Sequence, residues 1–152
     1  MTLLLRALIL ALFAVPAAAP AADSTPAVAS DPVMDQVTEA TARKDWPRAQ
    51  AILRDAVAAN PGNADYHNLY AYAIRKAASP DMSLVFKHYN EALRIDPKHR
   101  GAHEYIGEAY LMVGNLPKAK EHLSALDKLC FFPCSEFNDL KKVIAEYEAK
   151  RR

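Results

Sequence analysis

The chain has 152 residues, 24% of them charged, and its 19 basic and 18 acidic side chains leave a formal net charge of +1. So even a balance gives no electrostatic footing for nucleic acid or an anionic membrane surface. The length suits one domain of ordinary size.

The N-terminus, MTLLLRALILALFAVPAAAPAADSTP, runs from one basic residue, Arg6, through an apolar stretch from Ala7 to Val15 into small residues. This is the three-part pattern of a secretory signal peptide. The stretch is shorter than the roughly 20 apolar residues that span a bilayer. Ala19-Pro20-Ala21 offers small side chains at both cleavage-determining positions, which predicts a signal peptide over 1–21, with cleavage after Ala22 as the alternative. The absence of cysteine near that site argues against a lipoprotein. Residues 22–30, rich in Ala, Ser and Pro, read as a flexible lead-in. The remainder is then an exported chain, periplasmic or secreted, with no further apolar segment long enough for membrane insertion.

From there the apolar spacing of three and four residues predicts helices in pairs. The first pair is Pro32 to Lys44 and Pro47 to Ala59, opened by Asp31 as N-cap and Pro32 in the first turn. The second is Ala64 to Ala77 and Met82 to Ile95, after the turn Asn60-Pro61-Gly62-Asn63. The third is Arg100 to Val113 and Leu116 to Leu129, joined at Gly114-Asn115, where glycine can take the left-handed conformation that ends a helix. A last helix, Glu136 to Ala149, carries Phe137, Leu140, Ile144 and Tyr147 on one stripe, with Ser135 as its expected N-cap. It reads as a cap over the end of a stack spanning 31–149.

The pairs repeat. Ala49, Leu53 and Ala56 superpose on Val85, Tyr89 and Ala92, then on Ala119, Leu123 and Leu126, at offsets of 36 and 34 residues. A period in the 30s built from amphipathic helix pairs predicts an all-α stacked array, an architecture that usually holds something else. The second pair is longer by two residues between Ala71 and Val85, which places an enlarged turn at Ala78-Ser79-Pro80-Asp81.

Ile106-Gly107, Tyr110, Gly114, Ala119 and Leu123 in the third pair, Tyr70-Ala71, Ala92 and Pro97 in the second, and Ala49, Leu53, Ala56 and Pro61 in the first resemble the tetratricopeptide repeat family. The chain looks like its small exported bacterial members. The resemblance implies a right-handed stack of three hairpins, and a scaffolding role in which the first helix of each hairpin lines a concave groove. Its small residues, Gly107 and Ala71 among them, are expected to let the two helices of one hairpin approach closely.

Groove-facing positions are then Asn68, Tyr72, Arg75 and Lys76 in the second hairpin, and Glu104, Glu108, Leu111 and Met112 in the third. This arrangement predicts an extended peptide with its backbone on Asn68, its acidic end near Arg75 and Lys76, and Tyr72 as aromatic anchor. Glu104 and Glu108 break the lysine and asparagine pattern with which family members clamp a C-terminal carboxylate, so that clamp is not carried over.

Cys130 and Cys134 bracket Phe131-Phe132-Pro133, and an even cysteine count in an oxidising compartment predicts a disulfide, with both rings packed on the stack. The rival is a redox-active thiol pair, although its spacing of three residues is not the two of thioredoxin-like sites. His99, His103 and Glu104 come close enough in sequence to consider a metal, but His99 precedes its helix and His103 falls on the inner stripe, so no metal is expected. His67, His88 and His122 recur without a shared cluster. There is no phosphate loop, nucleophile elbow or convergent triad, and nothing in the groove distinguishes Glu104 from Glu108 as acid and base. The expectation is a non-enzyme without cofactor that binds a protein or peptide. A further alternative is self-association through Val33 and Val37 of the first hairpin.

Overall fold

The structure is a computed structural model, and it describes residues 31–132 and 134–151. The expected signal peptide and lead-in lie outside the described residues. Seven helices and no strand occur among those described: α1 (Pro32–Ala42), α2 (Trp46–Ala59), α3 (Ala64–Arg75), α4 (Met82–Ile95), α5 (Arg100–Met112), α6 (Leu116–Leu129) and α7 (Ser135–Ala149). They form the expected three hairpins and a final helix. The enlarged turn lies between α3 and α4, six residues long against three in the other two hairpins.

Short polar side chains start the first six helices. Asp31, Asp45, Asn63, Asp81 and Asn115 accept from backbone N–H groups two or three residues on, and His99 does so through Nδ1. Gly114 ends the α5 hairpin with φ 77°, as expected, and Lys44 takes the same left-handed turn in the first hairpin with φ 57°. The cap helix departs from expectation. It starts at Ser135, with Cys134 in the cap position and no side-chain cap, because Ser135 Oγ donates to Glu136 Oε2 instead.

The core is the repeated stripe. Ala49, Leu53, Val85, Tyr89, Ala92, Ala119 and Leu126 are fully enclosed. Val37 is buried against the first two hairpins with Ala40, Tyr66 and Ala73, and Tyr66 donates to Asp31 Oδ2 at 2.6 Å, tying α3 to the start of α1. The exposed valine face that suggested self-association is therefore absent at Val37.

Gly107 corrects another expectation. A Cβ at this position would stand 2.6 Å from Leu140 Cδ2, so the close approach is between α5 and the cap α7, not between the two helices of the third hairpin. This contact seats α7 beside α5, where it also becomes a wall of the concave face.

Candidate binding groove

A depression of about 380 Å³ opens between α3, α5 and α7, lined by Tyr72, Arg75, Lys76, Glu104, Tyr105 and Glu108 together with Asp139, Lys142, Val143 and Glu146 of α7. It runs into a more apolar recess of about 280 Å³ that shares Arg75, Glu108, Val143 and Glu146 and adds Leu111 and Met112. Five of the six expected site residues thus meet in one groove. The apolar stripe of α7 marks it in the sequence only as a cover, and its Asp139, Lys142 and Glu146 side as a groove wall emerges only in the structure.

Asn68 is the exception. It is 5% exposed, does not line the depression, and its Oδ1 has no hydrogen-bond partner among the described residues. A peptide backbone cannot lie on it as expected.

Arg75 is also reassigned. Its guanidinium is buried, pairs with Glu108 Oε2 at 2.7 Å, and donates from Nε to the Tyr89 hydroxyl at 3.3 Å. The same group stands 5.5 Å from the Tyr72 ring centre and 5.7 Å from that of Tyr105. A cation so engaged is part of the groove floor and is not available to an acidic peptide end. Lys76, exposed above Tyr72, remains accessible.

The aromatic side chains form a rail. Trp46 meets Tyr72 edge-on at 5.8 Å between centres, and Tyr72 meets Tyr105 at 4.8 Å. Such contacts stiffen large amphipathic rings where a ligand can use them. Tyr105 lies three residues before Glu108 and so on the same side of α5, a spacing that could have marked it as groove-facing.

The two glutamates differ sharply. Glu108 holds Arg75, whereas Glu104 is 8% exposed and enters no hydrogen bond or ion pair among the described residues. Burial, then the charges of Glu108, Asp139 and Glu136, push the Glu104 carboxyl up to about 7. A low-dielectric site surrounded by like charge disfavours ionisation. The sequence expectation that nothing separates these two acids is therefore corrected.

The histidines are paired, not scattered. His67 Nδ1 and His88 Nδ1 are 2.9 Å apart, with His67 Nε2 3.1 Å from the Pro61 carbonyl. His103, His122 and the Pro97 carbonyl repeat this at 2.9 and 3.1 Å. A carbonyl only accepts, so His67 and His103 donate from Nε2, and in the uncharged pair the partner ring donates from Nδ1. Burial, then the facing histidine, lowers both His88 and His122 to about 4. His99 spends Nδ1 on its helix cap and Nε2 on Asp65, and no metal-holding cluster of three or more ligands occurs among the described residues.

At the far end the structure pairs Cys130 with Cys134, Cα atoms 5.9 Å apart. Phe131 and Phe132 do not pack on the stack as expected. They are 98% and 83% exposed, because so short a loop turns both rings outward. No described helix is long and apolar enough to cross a membrane.

No family model matches the chain. A curated relative, the inactive TPR repeat-containing thioredoxin TTL3 of Arabidopsis thaliana, is 29% identical over 102 residues, 66% of this chain. The match takes in only 14% of the length of that relative. Among solved structures, the TPR2B domain of yeast Sti1 in its complex with pHsp70 superposes with a TM-score of 0.68 at 19% identity, covering 79% of this chain and 95% of that one. PcrH, in complex with the chaperone-binding region of PopD, gives 0.67 at 13% identity, covering 79% and 91%. Hairpins, repeat spacing and these likenesses agree that the chain folds as a tetratricopeptide-repeat stack.

Proposed function

We propose that this protein is a non-catalytic interaction module whose groove between α3, α5 and α7 receives a peptide or helix of a partner protein. The observation that carries this is the groove itself: a stiff rail of Tyr72 and Tyr105 beside an apolar recess at Leu111 and Met112. One end supplies burial and the other orientation, the combination that peptide grooves use. Solved neighbours with the same fold, including those in complex with pHsp70 and with a segment of PopD, support the reading. A photo-reactive residue placed at Lys76 or Lys142 should cross-link to a partner in native extract, and one at Lys87 of α4, on the other helix of its hairpin, should not. Cross-linking from Lys87 alone would move binding off the groove.

We further propose that the chain acts outside the cytoplasm, in a bacterial envelope, after loss of 1–21. The charged, apolar and small-residue order of that segment supports it. N-terminal sequencing of the expressed protein should begin at Ala22; an intact Met1 would end the proposal. In that compartment, whose oxidising machinery accepts the two electrons, Cys130 and Cys134 form a structural disulfide, read as a mass lower by two hydrogen atoms under non-reducing conditions.

A further inference from the structure

Resting on the groove reading, we propose that the site recognises a basic side chain, lysine or arginine, of the partner peptide, held between Glu104 and Asp139 beside the Tyr105 ring. Glu104 is nine-tenths buried, yet it lines the depression with no cation of its own. The nearest buried cation, Arg75, is committed to Glu108 at 2.7 Å. Asp139 lines the same depression from α7 and forms no ion pair or hydrogen bond among the described residues. A carboxylate so far withdrawn from water and without a cation is costly to the fold, and a ligand cation that reaches its remaining open surface offsets that cost. The tyrosine ring adds an electron-rich face to the same place. This is the reverse of the acidic peptide end that the basic residues of α3 suggest in the sequence.

The surroundings set the pH dependence. Glu104 faces Glu108 on its own helix, Arg75 on α3, and Glu136 and Asp139 on α7, and Glu136 is itself near Arg100 at 3.6 Å. Lys76 and Lys142 stand at the rim. A ligand cation stabilises the ionised form of Glu104, so affinity rises as pH increases through about 7.

The test is selection of a random peptide library on the full chain, beside Glu104→Gln and Tyr72→Ala forms. The native chain should enrich sequences with arginine or lysine at one position, and Glu104→Gln should bind them roughly tenfold less tightly at pH 8. For the native chain, a selected peptide should bind several-fold more tightly at pH 8 than at pH 6; for Glu104→Gln it should show no such change. Melting of Glu104→Gln at or above the native temperature at pH 8 establishes that the variant is folded. Enrichment of acidic or purely apolar peptides, lost in Tyr72→Ala, overturns the basic-ligand inference and leaves the groove reading standing. Equal enrichment by native, Tyr72→Ala and Glu104→Gln forms, or none at all, overturns both. Equal affinity for arginine and for its neutral isostere citrulline at the selected position also overturns the inference.

Discussion

Glu104 and the histidine pairs oppose each other as pH changes. The Glu104 carboxyl has an ordinary value of 4.5 and is raised to about 7 in the fold, chiefly by burial. The folded chain therefore holds that proton more tightly than the unfolded chain, and stability from this group is full below 4.5 and is lost as pH rises through 7. Glu104→Gln should raise the melting temperature at pH 8 and leave it unchanged at pH 4; equal melting at pH 8 would contradict the burial argument. His88 and His122, lowered from 6.5 to about 4, act the other way: their contribution is complete above 6.5 and is lost as pH falls through 4. Val33 and Ile52 occupy the matching positions of the first hairpin, both half-buried against its core. Replacing His67 with Val and His88 with Ile should thus flatten the loss of stability between pH 6.5 and pH 4, measured by thermal melts across that window. The histidine offsets, 36 for His67 to His103 and 34 for His88 to His122, match those of Pro61 to Pro97 and Val85 to Ala119. That coincidence is the signal in the sequence for the pairs; what spacing does not convey is that facing rings on two helices meet.

At the scale of elements, turns and close approaches decide stability. Lys44 holds the left-handed conformation that Gly114 provides in the third hairpin, a strain of about 1 kcal/mol for a side chain with a Cβ. Lys44→Gly should stabilise the protein by up to about that amount in denaturant unfolding, and destabilisation would show that the Lys44 side chain contributes more than its turn costs. Gly107→Leu should cost on the order of 1 to 3 kcal/mol, since the added atoms meet the fully buried Leu140. Leu140→Ala should recover part of that loss in a double-mutant cycle, whereas strict additivity would separate Gly107 from α7. Helix positions were legible from three-and-four spacing and from Asp, Asn and Pro at the starts, with ends shifted by one or two residues. The partner of Gly107 was not, because a small residue in a sequence reports a close approach without saying which helix makes it. Phe131 and Phe132 likewise carry no sign of direction, and their exposure follows from loop geometry.

At the largest scale, three hairpins and a capping helix among the described residues make one concave face whose charge is arranged internally. The sequence placed Tyr72, Arg75, Lys76, Glu104 and Glu108 on that face because they share helix sides. Their roles depended on neighbours across helices: Arg75 paired with Glu108 and Tyr89, Tyr72 against Trp46 and Tyr105, and Glu104 within the field of the Asp139 charge on the cap. A pattern read one helix at a time cannot tell a free cation from one already paired. The most direct measurement is amide chemical-shift mapping of the full chain titrated with a peptide from the library selection. The account predicts that shifts concentrate in α3, α5 and α7 around Tyr72, Glu104, Tyr105 and Asp139, and collapse in Glu104→Gln. Shifts centred on α4 and α6, or on the exposed Phe131-Phe132 loop, would contradict it and place the partner on another surface.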